Sequence, residues 1–125
     1  MDFPTLNRAR FVSLSTFRKT GVAVSTPVWI AAEGDDLLVT TPSGSGKLKR
    51  LRNNPRVEMQ PCSRMGKVAA GAPVVSGTAS TEAETPSLEA IFKKKYGVEY
   101  WLFLKIEALF SKGNKERTII RIHRA

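Results

Sequence analysis

The residues best equipped for chemistry lie together between Thr40 and Val57, where the chain reads TTPSGSGKLKRLRNNPRV. Thr40, Thr41, Ser43 and Ser45, with Gly44 and Gly46 among them, lead into Lys47, and Lys49, Arg50 and Arg52 follow. A Gly/Ser turn leaves backbone N–H groups pointing outward, and the start of a helix adds a partial positive charge. With Lys47 on that first turn, the segment is a good place to hold a phosphate. A nucleotide P-loop is excluded, because that pattern requires G-x-x-x-x-G-K-[ST]. Here Leu48 follows Gly46-Lys47, and Thr41 stands at the first glycine position. A solvated basic helix with a glycine-rich entry turn is the alternative reading, and the residues alone leave both open.

Other reactive side chains are sparse. Cys62 has no histidine near it in sequence and reads as a buried free thiol. His123, the one histidine, reads as structural or exposed. One Cys and one His cannot supply the roughly four N/S ligands of a zinc site. No Ser/His/Asp set or carboxylate pair can be assembled, so no catalytic residue is assigned. That absence suits chemistry carried by a cofactor, with the protein positioning ring and substrate.

The elements around these residues are mostly strands. Phe11–Phe17 alternates apolar and polar residues, the period of a half-buried strand. Arg18 to Gly21 is a turn, and Val22–Ala32 reads as one second strand in which Pro27 argues for an edge or a bulge. Glu33 to Asp36 is a hairpin turn and Leu37–Thr41 the returning strand, so three strands in an antiparallel meander are expected. The basic helix is stopped by Asn53-Asn54-Pro55. Strands follow at Val57–Cys62 and Ala72–Ser80, with Gly77 at a bend or bulge. Thr85 caps a helix with Pro86 at its first position, Leu88, Ile91, Phe92 and Tyr96 on one face, and Gly97 as its stop. Lys93, Lys94 and Lys95 complement the helix dipole there. Residues 3–10 suggest a short helix, and Arg117–His123 a last strand. Tyr100–Phe110 is expected to be a helix apolar nearly all round, which in so small a chain points to burial against a partner subunit. The sum is a mainly β fold, a small β-barrel with flanking helices.

A length of 125 residues predicts one domain, 1–125. No apolar run approaches the ~20 residues of a membrane span, and the start MDFPTLNRARF lacks the apolar core of a signal peptide, so a cytoplasmic protein is expected. A single cysteine excludes an internal disulfide and fits a reducing compartment. The net charge is +9, and seven Lys/Arg face only Glu58 between Pro42 and Lys67. Such a patch suits an anionic partner: nucleic acid, an anionic lipid surface or a multiply charged small molecule. A nucleic-acid groove usually interleaves aromatics for stacking. None occurs between Trp29 and Phe92, which favours the small molecule over a nucleic-acid module.

The order and spacing of these pieces resemble a known family. FVSLSTFRKTGVAVSTPVWIA at 11–31, LLVTTPSGSGKLKRLRNNPRV at 37–57, PCSRMGKV at 61–68 and the tail from KKYGVEYWLF at 94–103 are similar to the FMN-binding split β-barrel proteins related to pyridoxamine 5′-phosphate oxidase. Within them the chain most resembles the small actinobacterial type associated with the deazaflavin coenzyme F420. The resemblance implies an oxidoreductase that transfers hydride between reduced deazaflavin and a small unsaturated substrate, as a homodimer with cofactor sites between subunits. It implies that Ser25, Thr26, Pro27, Val28 and Trp29 lie along the cofactor ring. Thr40, Thr41, Ser45, Gly46 and Lys47 would hold the phosphate, and Arg52 would reach the phosphate or the tail beyond it. FMN oxidases of the family commonly carry an arginine and a lysine on the second strand, and Val24–Ile30 has neither. That places F420 ahead of FMN. F420 also carries a phosphodiester and a tail of glutamates, which the extended basic run Lys47–Lys67 suits.

Overall fold

The computed structural model describes residues 3–99, 102 and 117–124. Among the described residues seven strands form one antiparallel sheet: β1 (Val12–Phe17), β2 (Ala23–Val28), β3 (Ile30–Glu33), β4 (Asp36–Pro42), β5 (Arg56–Pro61), β6 (Val75–Ala83) and β7 (Arg117–Arg124). Among the described residues they are accompanied by helices α1 (Phe3–Leu6), α2 (Gly46–Asn53) and α3 (Pro86–Tyr96). The strand order is β2-β1-β5-β6-β7-β4-β3. The two edges, β2 and β3, are consecutive in the chain with only Trp29 between them, so the sheet curls until its edges adjoin at that residue.

This arrangement corrects the expected meander. The run expected as one strand over Val22–Ala32 divides at Trp29: Val28 pairs with Val12 of β1, whereas Ile30 pairs with Val39 of β4. The cause is the length of the partner. β1 begins at Val12, so no strand remains to pair beyond Val28, and β4 takes over. Side-chain alternation is unbroken across the switch, because Val28 and Ile30 both join one apolar cluster while Trp29 joins another. Pro27 is accommodated because β2 is an edge strand, as a residue without an N–H requires.

The alternation builds two cores. Leu14, Leu37, Val39, Met59, Ile120 and Ile122 point to the inside of the curl, sealed by Phe3 and Leu6 of α1 and by Leu48 and Leu51 of α2. Leu38 and Ile119 face the other way with Ala31, and there α3 lays Leu88, Phe92 and Tyr96 over them. β4 is therefore apolar and buried on both faces over Leu37–Val39. Phe92 is fully buried, a contribution of about 1.5–3 kcal/mol in apolar burial alone. Thr85 caps α3 by accepting from the Leu88 N–H, and Pro86 occupies its first turn. Gly77 is required by contact rather than by turning: a Cβ there would lie 2.6 Å from Ile122 Cγ2 and 2.8 Å from the His123 carbonyl oxygen.

The helix expected over 100–110 and the turn over 111–115 lie outside the described residues, Leu102 excepted. Among the described residues no helix is long and apolar enough to cross a membrane.

Candidate functional site

A cavity of about 490 Å³ opens where β2 gives way to β3 and β4 gives way to α2. Its wall on the β2–β3 side is Pro27, Val28 and Trp29; on the other side stand Thr40, Thr41 and Lys47. Six of the eleven residues assigned from sequence thus meet in one cavity. Ser25, Thr26, Ser45, Gly46 and Arg52 do not line it. Ser25 is engaged elsewhere, its hydroxyl 2.6 Å from that of Ser15. Arg52 is displaced by helical geometry. Five residues beyond Lys47, it lies roughly 140° around α2, whereas Arg50, three residues on, is back on the same side.

The end of β4 delivers the hydroxyls. Thr41 Oγ1 donates to Ser45 Oγ (3.2 Å), so Ser45, the residue preceding α2, makes no side-chain cap on that helix. The first-turn amides of α2 are left without a side-chain acceptor, and the helix start keeps its partial positive charge. Arg50 Nε donates to Thr16 Oγ1 at 2.6 Å, which folds its guanidinium back over Gly46. A Cβ on Gly46 would lie 2.9 Å from Arg50 Nη1, so any other residue at 46 displaces that arginine.

Lys47 is half-buried on the first turn of α2. Burial, and then repulsion from Arg50 and Arg117, hold its ammonium below the usual lysine pKa. Among the described residues no carboxylate or other acceptor pairs with it. Arg117, at the start of β7, lines the same cavity and donates from Nε to Thr40 Oγ1 at 2.9 Å; Thr40 in turn donates to Glu84 Oε2 at 2.9 Å. A desolvated cation facing two further cations is an anion site in electrostatic terms.

Trp29 is held flat. Its ring stacks on Tyr96 with centroids 4.4 Å apart and planes 9° from parallel. Tyr96 Oη bridges the main chain, accepting from the Ile30 N–H at 3.0 Å and lying 2.9 Å from the Arg10 carbonyl oxygen. Burial pushes this phenol up to about 12. The neighbouring Lys95 departs from its expected role: it crosses from α3 to donate to the carbonyls of Asn7 (2.6 Å), Ala9 (3.0 Å) and Ile30 (2.5 Å). The mouth of the cavity is formed by residues that sequence reasoning did not single out, chiefly Phe11, Arg64 and Glu99.

The other candidates fall away from the cavity. His123 Nδ1 sits 2.9 Å from Asp36 Oδ1, beside Arg121, which also pairs with Glu33 and Glu82. Cys62 is half-buried, and burial raises its thiol pKa. No group of three or more metal-ligating side chains occurs among the described residues.

Residues 3–125 match the family model described as pyridoxamine 5′-phosphate oxidase. The chain belongs to that family. No curated protein matches it. Solved structures share the fold at low identity. A conserved hypothetical protein of Mycobacterium tuberculosis is 24% identical with a TM-score of 0.65, over 99% of this chain and 81% of its own. A structure named F420 reductase is 18% identical with a TM-score of 0.59, over 100% and 94%. A heme storage protein of Vibrio cholerae is 11% identical with a TM-score of 0.64, over 98% and 87%. At these identities the likeness establishes the split-barrel fold, which carries more than one cofactor chemistry.

Proposed function

We propose that this chain binds coenzyme F420 in the cavity between Trp29 and Lys47 and transfers hydride between it and a small unsaturated organic substrate. The observation that carries the reading is Lys47: a half-buried ammonium without a partner among the described residues, beside Arg117 and the uncapped start of α2. Thr40, Thr41 and Lys47 would hold the cofactor's phosphate. The flat wall Pro27–Trp29 would support its ring. A volume of about 490 Å³ falls within the range of small-molecule sites. When bound, the reduced deazaflavin supplies a hydride from its ring; the chain's own part is to orient ring and substrate and to keep water out.

A heme reading is less well supported, because His123, the one histidine, does not line the cavity and is engaged with Asp36. The lack of an Arg/Lys pair in Val24–Ile30 favours F420 over FMN. The assembly proposed is a homodimer with the cavity near the subunit boundary, to be checked by sedimentation at micromolar concentration.

The deciding experiment is a fluorescence titration of the purified chain with F420 and, in parallel, FMN. Micromolar F420 binding with weaker FMN binding is expected; tight FMN binding without F420 binding overturns the cofactor choice.

A further inference from the structure

At the cavity mouth two arginines share one carboxylate. Glu99 takes Arg10 on Oε2 and Arg64 on Oε1, the latter at 3.2 Å. Each guanidinium also lies over an aromatic ring: Arg10 is 5.3 Å from the Tyr96 centroid, and Arg64 is 5.8 Å from that of Phe11. Among the described residues no second acid pairs with either arginine, so these three side chains together carry one net positive charge. This cationic centre is separate from the one at α2. Arg10 precedes β1 and Arg64 follows β5, whereas Lys47 stands on α2 and Arg117 on β7. One cavity therefore has two cationic centres on different segments, with apolar wall also in its lining.

We propose that Arg64 is a specificity-determining residue that selects substrates bearing a carboxylate, exchanging Glu99 for the substrate's anionic group. This rests on the preceding reading, in which the cofactor's phosphate occupies the Lys47 centre and the mouth is left to substrate. The exchange costs little. The Arg64 side chain is 73% exposed, and an ion pair that open contributes little. Glu99 keeps Arg10 as partner when Arg64 leaves. The entering carboxylate gains a planar fork of donors, braced against Phe11 and flanking the apolar wall. A neutral analogue of the same shape gains nothing from Arg64. The substrate class is thus narrowed to small unsaturated carboxylic acids.

The test compares benzoate with its neutral isostere benzamide by ligand-observed NMR on the full chain, with and without F420. Wild type should prefer benzoate by roughly fivefold. Arg64→Ala should bring the two to parity while leaving F420 affinity within about twofold, and Arg64→Lys, which keeps the charge but not the fork, should fall between. Glu99→Gln should strengthen benzoate binding severalfold, because the competing carboxylate is gone. Equal binding by wild type, or weaker benzoate binding in Glu99→Gln, overturns the proposal. Loss of F420 affinity in Arg64→Ala also overturns it, by assigning Arg64 to the cofactor. If wild type fails to bind F420 yet its benzoate preference depends on Arg64, the cofactor reading falls and the anion subsite stands.

Discussion

Trp29 and Tyr96 lie face to face, 4.4 Å between ring centroids and 9° from parallel, and this contact ties the cavity wall to α3. Trp29 is the single residue between the two edge strands, so its position sets how the sheet edges adjoin. The Tyr96 hydroxyl reinforces it by hydrogen-bonding the main chain of Ile30 and Arg10. Tyr96→Phe keeps the stack and removes the hydroxyl's bonds to the Ile30 N–H and the Arg10 carbonyl, while Lys95 still serves the Ile30 carbonyl, and should cost about 1–3 kcal/mol. Tyr96→Ala removes ring and hydroxyl together and should cost about 3–5 kcal/mol. Urea unfolding of the two variants checks the order; equal losses would mean that the ring stack adds nothing beyond the hydroxyl.

Lys95 predicts an unusual pH response. Burial, with Arg10 nearby, lowers its ammonium from 10.5 to about 8. Above pH 8 the folded chain gives up this proton while the unfolded chain holds it until about 10.5. The unfolded state then binds more protons, so the Lys95 contribution to stability rises with pH across this window. Tyr96, raised to about 12, acts in the opposite sense only above pH 10. Unfolding midpoints compared at pH 7.5 and pH 9.5 should rise more in wild type than in Lys95→Met. Parallel profiles for the two proteins would refute the assignment.

Signals that lie within one element are legible in the sequence, and those that depend on pairing between distant segments are not. α3 was legible because its cap, its first-turn proline, its apolar face and its glycine stop all lie within thirteen residues (Thr85 to Gly97). Lys47 with Thr40 and Thr41 was legible for the same reason, as a strand end leading into a helix start. The break at Trp29 was invisible because alternation continues through it and only the pairing partner changes. Arg117 is not legible because it reaches the cavity through the β4–β7 register, in which Pro42 faces Arg117 from far along the sequence. Its position makes Lys95 a dipole partner of its own helix; its actual acceptors are the carbonyls of Asn7 and Ala9, between α1 and β1, and of Ile30 in β3, which no helical pattern encodes.

Thr26 offers a test of the β2 wall. Its Oγ1 is buried with no hydrogen-bond partner among the described residues. Valine has the same shape and the same strand preference without the hydroxyl. Thr26→Val should therefore raise stability by about 1 kcal/mol and leave F420 affinity unchanged. A tenfold loss of F420 affinity would instead show that this hydroxyl meets the cofactor.

Lys47 should display opposite effects on stability and binding. In the ligand-free chain its half-buried ammonium is desolvated and repelled by Arg50 and Arg117, so it opposes folding. Lys47→Met keeps the length and apolar packing of the side chain while deleting the charge. Without ligand this variant should be more stable than wild type by roughly 1 kcal/mol. Its affinity for F420 should fall by about 1.5–3 kcal/mol, ten- to a hundredfold, because a charge-assisted contact to the phosphate is lost. Lys94→Ala, an exposed lysine on α3, is the control and should change neither quantity. Thermal melts with and without saturating F420 read both effects at once: the Lys47→Met curve should start higher and gain less on addition of ligand. A variant that melts lower without ligand, yet gains as much from F420 as wild type, would show that Lys47 is structural and that the phosphate is held elsewhere.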